Sequence, residues 1–188
     1  GKASRMGCVK QLLPYKDSTL LQFAIEQALN SKASKVYCVL GANADIIKEK
    51  AQNNQVIFIH NSNWEVGLSS SIISAINHLS GLKKLPDAVL IMLADQPHVD
   101  SNYINELIKL YQKNQSQIIA STYENIKGVP AVFPSKYFDK LLRLKGDKGA
   151  KIFLNNNGGY VMKFISKSTK LIDIDSPKDY RKLIKKTR

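Results

Sequence analysis

Short runs of apolar, often β-branched residues alternate along the chain with segments in which apolar residues recur every three or four positions. The first pattern is typical of buried strands, and the second is typical of helices that bury one face. Strands are predicted at residues 35–40, 56–60, 87–93, 117–122, 129–133, 160–165 and 171–174. Helices are predicted at residues 18–30, 71–79, 102–112 and 137–144, and a last helix begins at Pro177 with Ser176 as its N-cap.

The alternation of strands and helices predicts an α/β protein with a mostly parallel sheet that helices cover on both faces. The 188 residues suit a single domain, 1–188, and no Pro- or Ser-rich linker divides them. Ligands bind such sheets at the carboxyl ends of the strands. Residues that follow the predicted strands are therefore the candidates for function.

The formal charge of +13 predicts a partner with negative charge, which is nucleic acid, a membrane surface or a phosphorylated small molecule. The basic run at 181–188 is either a solvated helix face or a nucleic-acid patch. Two cysteines, Cys8 and Cys38, are too few for a disulfide framework or a zinc cluster. The apolar runs are too short to span a membrane and no signal peptide opens the chain, so a cytoplasmic protein is expected.

The first fourteen residues combine small residues with two cations, namely Gly1, Ser4, Gly7, Arg5 and Lys10. Small residues let backbone N–H groups approach an anion, and guanidinium and ammonium groups bind phosphate oxygens. The segment is therefore either a triphosphate-binding loop or an ordinary basic turn, and it lacks the form GxxxxGK[ST]. A phosphate loop needs a strand before it, so we expect a short apolar strand upstream of Gly1.

Three aspartates follow predicted strands: Asp95 after residues 87–93, and Asp173 and Asp175 at the end of residues 171–174. Mg²⁺ is bound in proteins by one or two carboxylates together with substrate phosphates. One interpretation is that Asp95, with Asp173 or Asp175, holds Mg²⁺ against a triphosphate. The alternative makes Asp95 a turn residue and Asp175 a helper of the last helix cap.

Loops with small and hydroxyl residues supply further candidates. Residues 61–71 lead into a helix and either wrap a nucleobase and ribose or cap that helix. Trp64 in this loop either stacks on a ring or packs on its own domain. The turns at 128–130 and 146–149 either close over an acceptor molecule or are only turns.

Taken in order, the segments GKASRMGCVKQLLP, VLGAN, NSNWEVGLSSSI, LADQP, GVPAVF, GDKGA and DIDSPKDY resemble the MobA-like nucleotidyltransferase family, most closely its molybdenum cofactor cytidylyltransferase branch. The resemblance spans nearly the whole chain. It implies a Rossmann-like, three-layer nucleotidyltransferase fold. It also implies that CTP and Mg²⁺ are ligands and that molybdopterin is the acceptor, giving molybdopterin cytosine dinucleotide and pyrophosphate.

The resemblance also assigns roles to residues of this chain. It places the phosphate loop on Gly1, Ser4, Arg5, Met6 and Gly7, the phosphate-binding lysine on Lys10, metal binding on Asp95, Asp173 and Asp175, and the base and ribose loop on Gly67, Leu68, Ser69 and Ser71. Two departures limit it: only Gly1 remains of the opening L-A-A-G or L-A-G-G element, and Val129 stands where relatives often have histidine or asparagine. LADQP and GDKGA favour the cytidylyl branch over the guanylyl branch.

The first hypothesis is therefore direct nucleotidyl transfer, with Arg5, Lys10 and Asp95 as the catalytic residues. A second enzyme hypothesis changes the nucleotide to GTP or the acceptor to a sugar or polyol phosphate. A basic nucleic-acid-binding module is suggested by charge alone, and the chain shows no familiar nucleic-acid-binding motif. An accessory protein that delivers the cofactor to a molybdenum hydroxylase is compatible with the first hypothesis.

Overall fold

The computed structural model describes residues 9–51, 53–123, 126–156, 158–165 and 171–187. The strands are β1 (Pro14–Tyr15), β2 (Ser18–Thr19), β3 (Val36–Leu40), β4 (Val56–His60), β5 (Ala88–Ile91), β6 (Ile118–Tyr123), β7 (Ile126–Pro134) and β8 (Val161–Ile165). The helices are α1 (Leu20–Leu29), α2 (Ala44–Lys50), α3 (Leu68–Ser80), α4 (Ser101–Lys113), α5 (Phe138–Leu141), α6 (Lys151–Asn156) and α7 (Pro177–Thr187).

The described strands form an antiparallel pair, a parallel pair and a four-stranded mixed sheet. Residues 128–130, which were expected to form a turn, lie within β7 of the mixed sheet. Strand β3 pairs with β4 in parallel, and a four-stranded sheet has the order β5-β7-β6-β8. In this sheet β6 and β8 are parallel, whereas β7 is antiparallel to both β5 and β6. Strand β7 begins three positions after β6 ends, and so short a connection can only make an antiparallel hairpin. The predicted α/β class is confirmed, and the expected parallel pairing holds for β3–β4 and β6–β8.

Helices cover both faces of the four-stranded sheet. Successive residues of a strand point to opposite faces, so Phe133 and Val132 of β7 belong to different apolar clusters. Helices α3 and α6 pack on the Phe133 side, and α4 packs on the Val132 side. This arrangement gives three layers, with the sheet in the middle.

Side chains at the helix starts explain where the helices begin. Thr19 and Gln22 form a capping box at the start of α1, and Asp100 caps α4 by accepting from Tyr103 N. At α7 the backbone N–H of Asp179 donates to Ser176 Oγ over 3.3 Å. The predicted N-cap at Ser176 is therefore confirmed.

The strand predicted at 171–174 is wrong: this stretch is irregular. Leu171 packs with the α4 cluster, whereas Ile174 packs with the cluster of α1 and α7. The apolar spacing therefore comes from two different cores and not from one face of a strand. Helices α2 and α6 were not predicted, and the helix expected at 137–144 is shorter, at Phe138–Leu141.

Among the described helices, none is long and apolar enough to cross a bilayer. Helices α3 and α4, for example, each have 13 residues, whereas a spanning helix needs about 20.

Candidate active site

The ammonium group of Lys10 meets two carboxylates from distant parts of the chain. Its Nζ lies 2.6 Å from Asp95 Oδ2 and 3.2 Å from Asp175 Oδ1. Lys10 lies in the short 3₁₀ helix Lys10–Leu12, Asp95 lies just beyond β5, and Asp175 just precedes α7. The structure thus brings together three of the residues singled out in the sequence.

The segments that carry these carboxylates are also joined by other hydrogen bonds. The backbone N–H of Ile174 donates to Asp95 O over 3.0 Å. The side chain of Gln96 donates from Nε2 to Asp173 Oδ1 at 2.9 Å and to the Val129 carbonyl at 3.4 Å. The two acidic segments are therefore held side by side at one edge of the sheet.

Charge and burial oppose each other at Lys10. Burial alone lowers the pKa of Lys10, but the charges of Asp95 and Asp175 and their hydrogen bonds outweigh it, so this pKa is raised. Lys10 is therefore a cation at neutral pH.

At Asp173, burial and the neighbouring charges of Asp95 and Asp175 act on the pKa in the same direction. Burial raises the pKa of the Asp173 carboxyl, and the nearby charges of Asp95 and Asp175 raise it further. The hydrogen bond from Gln96 and the charge of Lys10 lower this pKa, but the net shift is upward. The folded chain therefore favours the protonated form of Asp173 more than an unfolded chain does.

The acidic residues fit a hard divalent cation such as Mg²⁺ or Mn²⁺. Carboxylate oxygens are the ligands that these ions prefer, and Oδ1 of Asp95 is buried without a hydrogen-bond partner among the described residues. Among the residues that the structure describes, no group of three or more Asp, Glu, His or Cys side chains is close enough together to hold a metal ion. Phosphate oxygens of a substrate are the natural source of the remaining ligands.

The loop before α3, which the sequence singled out for base and ribose binding, is built around Asn61. Asn61 is 1% exposed, and its Nδ2 donates to Ser70 Oγ at 2.8 Å and to Ser71 Oγ at 3.0 Å. Its Oδ1 accepts from the backbone N–H of Asn63. Sequence reasoning missed the bracing role of Asn61, and the only signal was an asparagine directly after a strand.

The turn at 146–149 packs directly on this loop. The backbone N–H of Ser69 donates to Gly146 O over 3.1 Å, and a Cβ on Gly149 would lie 2.9 Å from Leu68 Cδ2. Ser69 Oγ is buried without a hydrogen-bond partner among the described residues. The turn therefore braces the predicted base and ribose loop.

A cleft of about 410 Å³ opens beyond the carboxyl ends of β3 and β4. Its lining includes Gly41, Asn43, Asp45, His60 and Trp64. A Cβ on Gly41 would lie 2.5 Å from Trp64 Cβ, so Trp64 packs on its own domain and forms a wall of the cleft. Leu40, at the end of β3, belongs to an apolar cluster against which Val9 and Ala94 also pack. These two residues are the neighbours of Lys10 and Asp95, so the cleft and the charged site lie on the same side of the fold.

The predicted phosphate loop lies outside the described residues, and this includes Gly1, Ser4, Arg5, Met6 and Gly7. Of the residues predicted to bind the triphosphate near the start of the chain, the structure describes Lys10.

Comparison with known proteins gives a family and several relatives. Residues 1–160 match the model of the MobA-like NTP transferase domain. The chain is 26% identical to the purine catabolism protein PucB of Bacillus subtilis, over 96% of this chain and 90% of the relative. It is 23% identical to the molybdenum cofactor cytidylyltransferase of Escherichia coli, over 96% of this chain and 89% of the relative.

Solved structures agree with the fold. The protein Rv0371c of Mycobacterium tuberculosis superposes with a TM-score of 0.81 at 25% identity, covering 98% of this chain and 93% of that one. The manganese complex of Rv0371c superposes with a TM-score of 0.78, covering 96% and 94% of the two chains. A nucleotidyl transferase from Methanothermobacter shares the fold at 18% identity, with a TM-score of 0.82 over 100% of this chain and 95% of that one.

Proposed function

We propose, since the chain belongs to the MobA-like NTP transferase domain family, that it transfers CMP from CTP to molybdopterin and releases pyrophosphate. The observation that carries the proposal is the meeting of Lys10 with Asp95 and Asp175. One cation and several carboxylates at one edge of the sheet suit a triphosphate with a divalent ion. Cytidine and molybdopterin are supported by the motifs LADQP and GDKGA and by the likeness to the E. coli cytidylyltransferase.

The reaction is an in-line attack of the acceptor phosphate oxygen on the α-phosphorus of CTP. A new P–O bond forms, the bond to the β-phosphate oxygen breaks, and pyrophosphate leaves. Lys10 binds the triphosphate and neutralises the charge that develops on it, and Arg5 is expected to grip the same phosphates. Together with phosphate oxygens of CTP, Asp95 and either Asp173 or Asp175 would hold Mg²⁺, which supplies further positive charge when it is bound.

The remaining residues position the two substrates. Gly67, Leu68, Ser69 and Ser71 are proposed to contact the cytidine end of CTP, where Ser69 Oγ offers a buried hydroxyl. The neighbouring cleft beyond β3 and β4 is the space at this edge of the sheet where a ring can enter. A molybdenum hydroxylase is the proposed recipient of the product.

Pyrophosphate release tests the proposal across CTP, GTP, ATP and UTP, with molybdopterin and with sugar phosphates, in Mg²⁺ or Mn²⁺. We expect CTP with molybdopterin to be preferred. Lys10→Ala and Asp95→Ala should each lower turnover by a factor of about 100 or more, since each removes charge stabilisation of the transition state. Lys185→Ala and Asp139→Ala remove the same charges from exposed positions and should leave turnover unchanged.

Full turnover in both Lys10→Ala and Asp95→Ala, with melting temperatures like that of the parent, would end this proposal. A preference for GTP or for a sugar phosphate would keep the nucleotidyl transfer and replace the substrate. Salt-sensitive binding of nucleic acid without any binding of nucleotides would favour the nucleic-acid hypothesis.

A further inference from the structure

Gln96 lies between the acidic segments and Val129 of β7. It directly follows Asp95, and its side chain donates from Nε2 to Asp173 Oδ1 at 2.9 Å and to Val129 O at 3.4 Å. The residue is only 6% exposed. One amide group thus joins three segments that meet at the candidate active site.

The β7 segment that Gln96 contacts, at Val129 and Pro130, is itself held by buried hydrogen bonds. Ser121 Oγ donates to Pro130 O at 2.5 Å, next to the Val129 carbonyl that Gln96 contacts. Tyr103 donates from its hydroxyl to Ser121 Oγ at 2.8 Å, which links β6 and β7 to α4. Through its two hydrogen bonds, Gln96 therefore fixes the position of the Asp173 side chain relative to the buried strand β7.

Stability alone is a poor reason for a glutamine at this position. Oε1 of Gln96 is buried and has no hydrogen-bond partner among the described residues, and burying such an atom is unfavourable. An apolar side chain of similar size would fill the same volume without this cost. The hydrogen bond that Gln96 does make instead fixes the orientation of the Asp173 carboxylate.

We propose that Gln96 is a positioning residue of the metal site, which acts on the divalent ion through Asp173. Its hydrogen bond occupies Oδ1 of Asp173 and leaves Oδ2 of the same carboxylate for the cation. The inference rests on the proposed function, because it assigns a role to Gln96 toward the ion that this function requires. Residues that orient metal ligands in this way commonly change metal affinity by factors of about 10–100 when they are replaced.

Mn²⁺ binding to the full chain, followed by electron paramagnetic resonance with and without CTP, tests this role. Gln96→Met keeps the volume and removes the donor, so we expect Mn²⁺ to bind about 10–100 times more weakly. Gln96→Asn keeps the amide but draws it back by one methylene, and the same loss is expected. Gln117→Met is the matched control, because Oε1 of Gln117 is also buried without a partner in the described structure. This residue precedes β6, which runs parallel to β5, so it lies at the opposite end of the strands from Asp95 and Mn²⁺ affinity should not change.

A double-mutant cycle with Asp173→Asn separates positioning from plain packing. If Gln96 acts through Asp173, the double variant Gln96→Met with Asp173→Asn should bind Mn²⁺ no more weakly than Asp173→Asn alone. Additive losses would overturn the inference. So would parental Mn²⁺ affinity in folded Gln96→Met and Gln96→Asn, or a parent chain that binds no Mn²⁺.

The inference and the proposed function fail in different ways. If the effects of Gln96→Met and Asp173→Asn on Mn²⁺ affinity are coupled but the chain transfers nothing from CTP, the proposed reaction would be overturned and the role of Gln96 supported. If the chain transfers CMP but the effects of Gln96→Met and Asp173→Asn on Mn²⁺ affinity are additive, only the role of Gln96 would be overturned.

Discussion

Lys10 donates to two of the carboxylates that are proposed to hold the divalent ion. At 2.6 Å from Asp95 and 3.2 Å from Asp175, its ammonium group takes oxygen atoms that the ion also requires. The ion and Lys10 therefore compete for these carboxylates until a triphosphate arrives, when Lys10 can turn to the phosphates. In this proposal metal and nucleotide binding are coupled through a single side chain.

Lys10→Met should change the two affinities in opposite directions. Without nucleotide, Mn²⁺ should bind about tenfold more tightly, because its competitor for the carboxylates is gone, and tenfold corresponds to about 1.4 kcal/mol. CTP should bind more weakly, because its phosphates lose a cation. Calorimetric titrations of each ligand check this, with Lys185→Met as the control, and weaker Mn²⁺ binding in Lys10→Met would contradict it.

Asp173→Asn should stabilise the protein at neutral pH in buffer that contains a chelator. Because the pKa of Asp173 is raised in the folded state, this carboxyl stabilises the fold when protonated, and its contribution is lost as pH rises through the raised pKa. Asparagine removes the charge and keeps an oxygen for Gln96. Each kcal/mol gained should raise the melting temperature by roughly 2–4 °C.

The control for this prediction is Asp175→Asn, which removes a negative charge that is paired with Lys10 and should not stabilise. The advantage of Asp173→Asn should shrink as the pH falls and the parent carboxyl becomes protonated. A gap in melting temperature that stays constant from neutral to acid pH would contradict the prediction.

Helix α3 has a glycine at each end, and the two glycines have different physical roles. Gly67, before the first turn, has φ of 111°, a conformation that side chains strongly disfavour. A Cβ on Gly67 would also lie 2.9 Å from the backbone carbon of Gly146. Gly81, after the last turn, has an ordinary φ of −82°, and a Cβ there would meet nothing closer than 3.6 Å.

Gly67→Ala should therefore destabilise the fold by about 1–3 kcal/mol and weaken CTP binding, because the turn at 146–149 must move. Gly81→Ala is the matched control and should be neutral or stabilising by up to about 1 kcal/mol. Urea unfolding and CTP titration of both variants measure these effects. Equal stability of the two variants would show that the Gly67 backbone can relax.

Part of the net charge of +13 lies on α7, where exposed lysine and arginine side chains form a stripe along one face. The stripe is formed at spacings of three, four and seven residues by Lys178, Arg181, Lys182 and Lys185. The opposite face of the helix is apolar, and Leu183 is buried there against the cluster of Tyr15, Leu20, Phe23 and Ile174. The core contacts of α7 are thus separate from its charge, and the stripe fits the interpretation of a solvated face.

Replacing the four stripe residues by glutamine should leave folding and chemistry nearly unchanged. Each exposed substitution should alter the free energy of unfolding by no more than about 0.5 kcal/mol. Turnover of CTP should persist, whereas any weak binding to duplex DNA should fall and lose part of its salt dependence. Loss of turnover in this variant, at unchanged melting temperature, would show that α7 takes part in binding the substrates.

Local pattern was enough to predict the α/β class, most strands and the start of α7. Apolar periodicity and capping are properties of neighbouring residues, and they survive in any tertiary context. The carboxylate of Asp95 was singled out because a charged residue that follows a buried strand needs a partner. Lys10 was singled out because it accompanies small residues in the first fourteen positions, and Asp173 and Asp175 were singled out at the end of a strand that the structure does not contain.

Contacts between distant residues decided the rest. The hairpin reverses β7, two separate cores keep 171–174 irregular, and neither fact is visible in a local apolar pattern. Only the tertiary structure shows that Asp175 pairs with Lys10 whereas Asp173 pairs with Gln96, since residue spacing does not tell which atoms a folded chain brings within hydrogen-bond distance. The physical reason is that side-chain partners are chosen by packing across the whole domain, and the sequence pattern reports only which residues need one.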